Sequence, residues 1–140
     1  MNRRITSTLV VSTLIASSTL TGCSSKADPT AMRTECSKIA DILGVVLEDL
    51  TTINKGLSQL DVSQFTARRN ELQDQQKKLS ALDITDGILA NDVKNMSGAL
   101  QVVIDDLGRI AKDGPAAIAL TASDIDKLTA TAERVAGSCL

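Results

Sequence analysis

The sequence contains no histidine, no tryptophan and no tyrosine, and Phe65 is its only aromatic residue. Without histidine, the side chain that most often acts as general acid, general base or metal ligand near neutral pH is missing. Without a set of aromatic faces, no platform exists on which bases or sugars could stack. Long apolar runs are scarce as well. The most hydrophobic stretch, residues 9–16, falls far short of the roughly 20 apolar residues that span a bilayer. The apolar side chains that remain are Leu, Ile, Val, Met and Ala, a set suited to helices. Both prolines, Pro29 and Pro115, sit at the edges of periodic segments rather than inside them.

The N-terminus carries an address. Met1 to Arg4 is a short positive segment, and residues 5–20 are moderately apolar with many hydroxyl groups. They end in Leu20-Thr21-Gly22-Cys23. This tetrapeptide resembles the lipobox of bacterial lipoproteins, in which an aliphatic residue, a small residue and Gly or Ala precede an obligatory Cys. The resemblance covers the N-terminal segment only. It implies cleavage before Cys23, transfer of diacylglycerol to the Cys23 thiol, and acylation with palmitate-class chains, the anchor of a cell-membrane lipoprotein. Two or three acyl chains suffice for stable anchoring where one does not. Arg3-Arg4 lacks the flanking residues of a twin-arginine signal, so the general secretory route is expected. The chain then divides into a signal peptide (1–22), a lipidated Cys and tether (23–28) and a helical domain (29–140). The tether reaches about 3.5 Å per residue, so the domain is expected close to the membrane. Ser24 is compatible with the outer membrane of double-membrane bacteria, and inner or outer membrane stays open.

Loss of Arg3 and Arg4 with the signal takes the formal net charge from −2 to −4. No basic patch remains for nucleic acid, and no polybasic segment for anionic lipid.

The rest of the chain is periodic. Asp28-Pro29 is a helix start, an N-cap followed by Pro at the first helical position. Met32, Cys36, Ile39, Leu43, Val46, Leu50, Ile53, Leu57 and Leu60 then recur at spacings of four and three, a narrow bundle-type seam. Asp61-Val62-Ser63 breaks it. A second helix is expected over residues 64–82 with a thin seam of Phe65, Leu72, Leu79 and Leu82. Asp83-Ile84-Thr85-Asp86 caps a third, carrying Leu89, Val93, Met96, Leu100, Val103, Leu107 and Ile110. Asp113-Gly114-Pro115 is a stop, turn and restart. A fourth, unsplit helix carries Ile118, Thr121, Ile125, Leu128, Ala132, Val135 and Cys139. No alternating strand pattern competes. The expected fold is all-α, an antiparallel up-down-up-down four-helix bundle. Its alternative is a three-helix bundle with residues 64–82 lying loosely outside.

With Cys23 consumed by lipid, Cys36 and Cys139 remain as a pair in an oxidising compartment. They fall near the start of the first helix and the end of the last, both on the apolar seam, so a structural disulfide is expected. In the chain-entropy description such a bond, closing a loop of about 100 residues, contributes up to about 4.7 kcal/mol. A metal site would need further soft or imidazole ligands, and a redox pair would show Cys-x-x-Cys spacing.

Little else carries chemistry. Glu48-Asp49 and Asp105-Asp106 are adjacent helix residues pointing about 100° apart, and both pairs are expected on solvated faces. Serine has no histidine to activate it. No enzyme activity, metal or cofactor is expected. Arg68, Arg69, Gln75 and Gln76 fall on or near the inner face of the second helix and are the candidates for holding a small anionic ligand, since Arg suits carboxylate and phosphate. The loops bearing Asp61 and Asp113 are the candidate partner surface at the end away from the tether. The expected function is a membrane-anchored envelope lipoprotein acting as a structural or protein-interaction module, without nucleic acid. The alternative is a binding module for a small anionic or lipidic ligand. Seams pairing between chains would give a homo-oligomer.

Overall fold

A computed structural model describes residues 28–140; the signal segment, Cys23 and the tether lie outside the described residues. Four helices form: α1 (Pro29–Gln59), α2 (Phe65–Ser80), α3 (Gly87–Asp113) and α4 (Ile118–Ser138), with one turn of 3₁₀ helix (Gly114–Ala117) before α4. The caps follow the residue chemistry. The Asp28 carboxylate accepts from Thr30 N–H at 2.9 Å, and the Asp86 carboxylate accepts from Ile88 and Leu89 N–H at 2.9 and 2.8 Å. Each side chain satisfies donors that the first helical turn leaves without partners. α3 ends at Gly114, whose φ of +67° lies where glycine is at ease.

α1 packs on α2 and α4, and α3 packs on α2 and α4, so the four helices enclose one core. α2 is therefore a member of the bundle and not an outlying segment. The seams meet there. Ile39, Val46, Ile53, Leu72, Met96, Leu100, Val103 and Leu128 are completely buried. α4 runs unbroken through Ser123-Asp124. Polar contacts join neighbouring helices: Asp49 of α1 to Arg68 of α2, Gln76 of α2 to the Ser97 carbonyl of α3, and Ser138 late in α4 to Asp92 early in α3.

The Cys36–Cys139 disulfide is present, with 5.6 Å between the Cα atoms and a sequence separation of 103. It ties α1 near its start to the residue that caps the end of α4. Beside it, Thr85 of the α2–α3 connection donates its backbone N–H and its hydroxyl to Glu35 Oε1 at 3.2 and 2.8 Å. Among the described residues, no helix is long and apolar enough to cross a membrane.

Two expectations need correction. Glu48 and Asp105 are exposed, but their neighbours Asp49 and Asp106 are buried. α1 and α3 present stripes wide enough to take in a third position per two turns, which also buries Ile42 and Ile104. Leu60 leaves the seam altogether. It caps α1 with φ +56° and is 68% exposed.

Candidate functional site

The α1–α2 connection is short, rigid and unusual in what it exposes. Leu60 N–H donates to Leu57 O at 3.3 Å, Asp61 N–H to Gly56 O at 2.9 Å, and Phe65 N–H to Val62 O at 3.1 Å. The Asp61 carboxylate accepts from Ser63 N–H at 3.0 Å, and hydrogen bonding from the Ser63 side chain first, and then from that N–H, holds its pKa below the usual carboxylate value. Phe65 turns inward against Gly56, so closely that a Cβ on Gly56 would sit 2.7 Å from the ring and 2.8 Å from the Asp61 carbonyl oxygen. The one aromatic residue thus pins the loop to α1. On this rigid base Leu60 and Val62 point outward, 68% and 47% exposed.

A left-handed backbone costs an L-residue with a Cβ roughly 1–2 kcal/mol, and glycine or asparagine usually takes this position after a helix. A leucine there bears that strain and leaves an apolar side chain in water. Strain of this kind concentrates where the chain meets something else. Nothing in the sequence pattern marks Leu60 as special, because it continues the heptad spacing of α1; only its backbone conformation separates it from the seam.

Next to this loop, α1 and α2 border a groove of about 280 Å³, lined by Thr51, Thr52, Lys55, Gln59, Asp61, Gln64 and Arg68 over buried Ile53 and Phe65. Arg68 reaches out of it toward α1, its Nη1 lying 2.8 Å from Asp49 Oδ1 and 3.0 Å from Glu71 Oε2. Burial nevertheless pushes the Asp49 carboxyl above its usual pKa, more strongly than the Arg68 hydrogen bond lowers it.

The four candidate ligand residues of α2 do not converge. Arg68 serves α1. The Arg69 guanidinium lies against Gly108 of α3, where an added Cβ would be 3.3 Å from its Cζ. Gln76 Nε2 donates to Ser97 O at 3.2 Å, also on α3. Gln75 is buried, and Lys78 Nζ of its own helix lies 3.5 Å from its Oε1. Of the four, Arg68 alone lines the groove at the loop. Both partner-loop candidates, Asp61 and Asp113, are exposed.

A second carboxylate site lies between α3 and α4. Asp106 is buried, with Oδ1 3.4 Å from Arg109 Nη2 and with Oδ2 left without a partner. Burial first, and then its hydrogen bond with Asp124, raise the Asp106 pKa. Asp124, 2.7 Å from Lys127 Nζ, is held low by that lysine. Among the described residues, no three acidic or cysteine side chains gather as a metal site would require. Compared with known proteins, the chain matches no family model, no curated protein and no solved structure.

Proposed function

We propose that this chain is an envelope lipoprotein, held to a membrane by lipid on Cys23, whose helical bundle acts as a protein-interaction module and not as an enzyme. The observation that carries the interaction role is Leu60, an exposed leucine held in a left-handed backbone on a rigid loop. In an up-down-up-down order the Cys36–Cys139 bond lies at the tethered end, and the Leu60–Val62 knob and Asp113 lie at the far end, where a partner could reach them. Preorganised loops bind with less ordering cost, and exposed apolar side chains supply the contact area.

The test uses the full chain in its cell envelope. A photo-crosslinking residue at Val62 is expected to trap a discrete protein adduct, while the same probe at exposed Ile88, beyond the N-cap of α3, traps none of that mass. Absence of any adduct at Val62, or the same adduct from both positions, would reject the interaction role. Replacement Cys23→Ser is expected to move the chain out of the membrane fraction, and retention there would reject the lipid anchor.

A further inference from the structure

The groove beside Leu60 has unspent binding capacity. Lys55 lines it, and among the described residues no carboxylate lies within ion-pair distance of its ammonium. Arg68 spends Nη1 on Asp49 and Glu71, while its Nε is buried without an acceptor. That Nε is enclosed by protein, so a ligand meets Arg68 through the exposed side of the guanidinium, the side chain keeping about a third of its surface in solvent. Two cationic side chains lining one groove, Lys55 from α1 and Arg68 from α2, favour an anion. The carboxylates of Asp61, Asp49 and Glu71 close by disfavour a doubly charged one, because like charges at short range repel. A single carboxylate is the anion that fits.

The remaining walls say what the carboxylate is attached to. Gln59 and Gln64 each offer an amide with one donor side and one acceptor side, the pattern of a peptide group. Gln64 makes no capping hydrogen bond to α2, so its amide is not spent there. Asp61, kept ionised by Ser63, adds an acceptor for a peptide N–H. Phe65 provides an apolar floor.

We infer that this groove binds the end of a short peptide through its free C-terminal carboxylate, with Lys55 and Arg68 taking the carboxylate and Gln59 and Gln64 the preceding peptide group. The inference rests on the partner-facing role given above to this end of the bundle, and it names what is recognised there. The peptide can come free or as the C-terminus of a partner protein.

The experiment is a titration of the isotopically labelled full chain in detergent micelles, followed through its amide resonances. Trialanine is the probe, with its C-terminally amidated form as control. Trialanine is expected to shift the Gln59, Gln64 and Arg68 resonances, and the amidated peptide to bind at least about ten-fold more weakly, a loss of about 1.4 kcal/mol. Lys55→Gln, an exposed change that leaves the core alone, is expected to weaken trialanine binding to a similar degree. A carrier protein ending in the same three residues forms the other arm: tighter binding of free trialanine points to free peptides, and equal or tighter binding of the carrier points to a protein terminus. Equal affinity for the acid and the amide, or no shift with either free or carrier-borne carboxylate, overturns the inference. The crosslinking result at Val62 is read separately, so failure of the peptide reading and failure of the interaction role can be told apart.

Discussion

Arg68 Nη1 donates to Asp49 Oδ1 across 2.8 Å, fastening the first turn of α2 to the buried side of α1. The partners are unequal: the Asp49 side chain is almost fully enclosed, whereas that of Arg68 keeps about a third of its surface in solvent. Removing the arginine leaves a buried carboxylate without its counter-charge, and replacing both by apolar groups removes the cost together with the pair. Arg68→Met is therefore expected to lower the thermal midpoint clearly, and Asp49→Leu with Arg68→Met to recover most of the loss. Circular-dichroism melts of the three proteins check this. A double variant less stable than Arg68→Met alone would mean the pair contributes more than it costs.

Gly56 and Gly44 sit in the same helix and predict opposite outcomes. Alanine in a helix interior is favoured over glycine by about 1 kcal/mol. At Gly44 nothing lies within 4 Å of an added Cβ, so Gly44→Ala is expected to gain about that amount. At Gly56 the Cβ would meet Phe65 Cε1 at 2.7 Å and the Asp61 carbonyl at 2.8 Å. One of these is backbone and cannot swing aside, so Gly56→Ala is expected to lose about 1–3 kcal/mol by overpacking. Urea denaturation of both variants measures the contrast.

These two glycines also show where sequence reasoning stops. Each interrupts the α1 pattern in the same way, and only the path of the α1–α2 loop distinguishes them. The four helices, the Asp28 and Asp86 caps and the cysteine pair were legible because each rests on a local rule: a seam at spacings of four and three, Asp before Pro, Asp before Gly, and Cys36 and Cys139 in phase with the seam. Asp49 and Asp106 were misplaced because seam spacing defines the centre of a buried stripe but not its width, and a carboxylate at the stripe's edge is buried only when a neighbouring helix covers it. On α2, Gln75 is buried and Arg68, Arg69 and Gln76 are half-buried. Their division between α1, α3 and α2 itself depends on side-chain rotamers that no periodicity encodes. The groove at Lys55 and Arg68 is assembled from the end of one helix and the start of the next, and Leu60 differs from a seam leucine only in φ.

Leu60 lends itself to a separation of stability from binding. Glycine at this position relieves the left-handed strain, so Leu60→Gly is expected to stabilise the bundle by about 1 kcal/mol. The same change deletes the exposed side chain and is expected to abolish the adduct trapped at Val62. Melting and crosslinking on one preparation read both effects. A variant that is stabilised and still captures the partner would remove Leu60 from the contact surface.

Closing the chain across 103 residues makes the Cys36–Cys139 bond a large contribution for a domain of this size. Loss of such a bond from a small secreted domain costs about 2–5 kcal/mol. Cys36→Ser with Cys139→Ser is expected to fall in that range while the helices remain, since among the described residues 22 apolar side chains still share the core. Far-ultraviolet circular dichroism during chemical denaturation checks both statements. Reduction of the unaltered protein is expected to reproduce the shift.

Asp106 and Asp124 give the domain a pH dependence whose sign is fixed by their opposite shifts. Asp106 faces Asp124 across the α3–α4 contact, with Asp105 and Arg109 on its own helix and Lys127 beyond Asp124. Burial and the neighbouring carboxylate raise the Asp106 pKa above its unfolded value of 3.8, so over the window above that value the folded state holds more proton than the unfolded one. Stability therefore falls as pH rises through that window. Lys127 lowers Asp124, whose contribution is present above 3.8 and is lost as pH drops below it. Asn at position 106 keeps the shape and can donate to Asp124 as the protonated acid does, but cannot ionise. Asp106→Asn is accordingly expected to raise the thermal midpoint near about pH 7 and to converge with the unaltered protein near about pH 4. Melts across that range decide it. A variant less stable than the parent at neutral pH would show that the Arg109 contact, and not burial, governs the ionised state of Asp106.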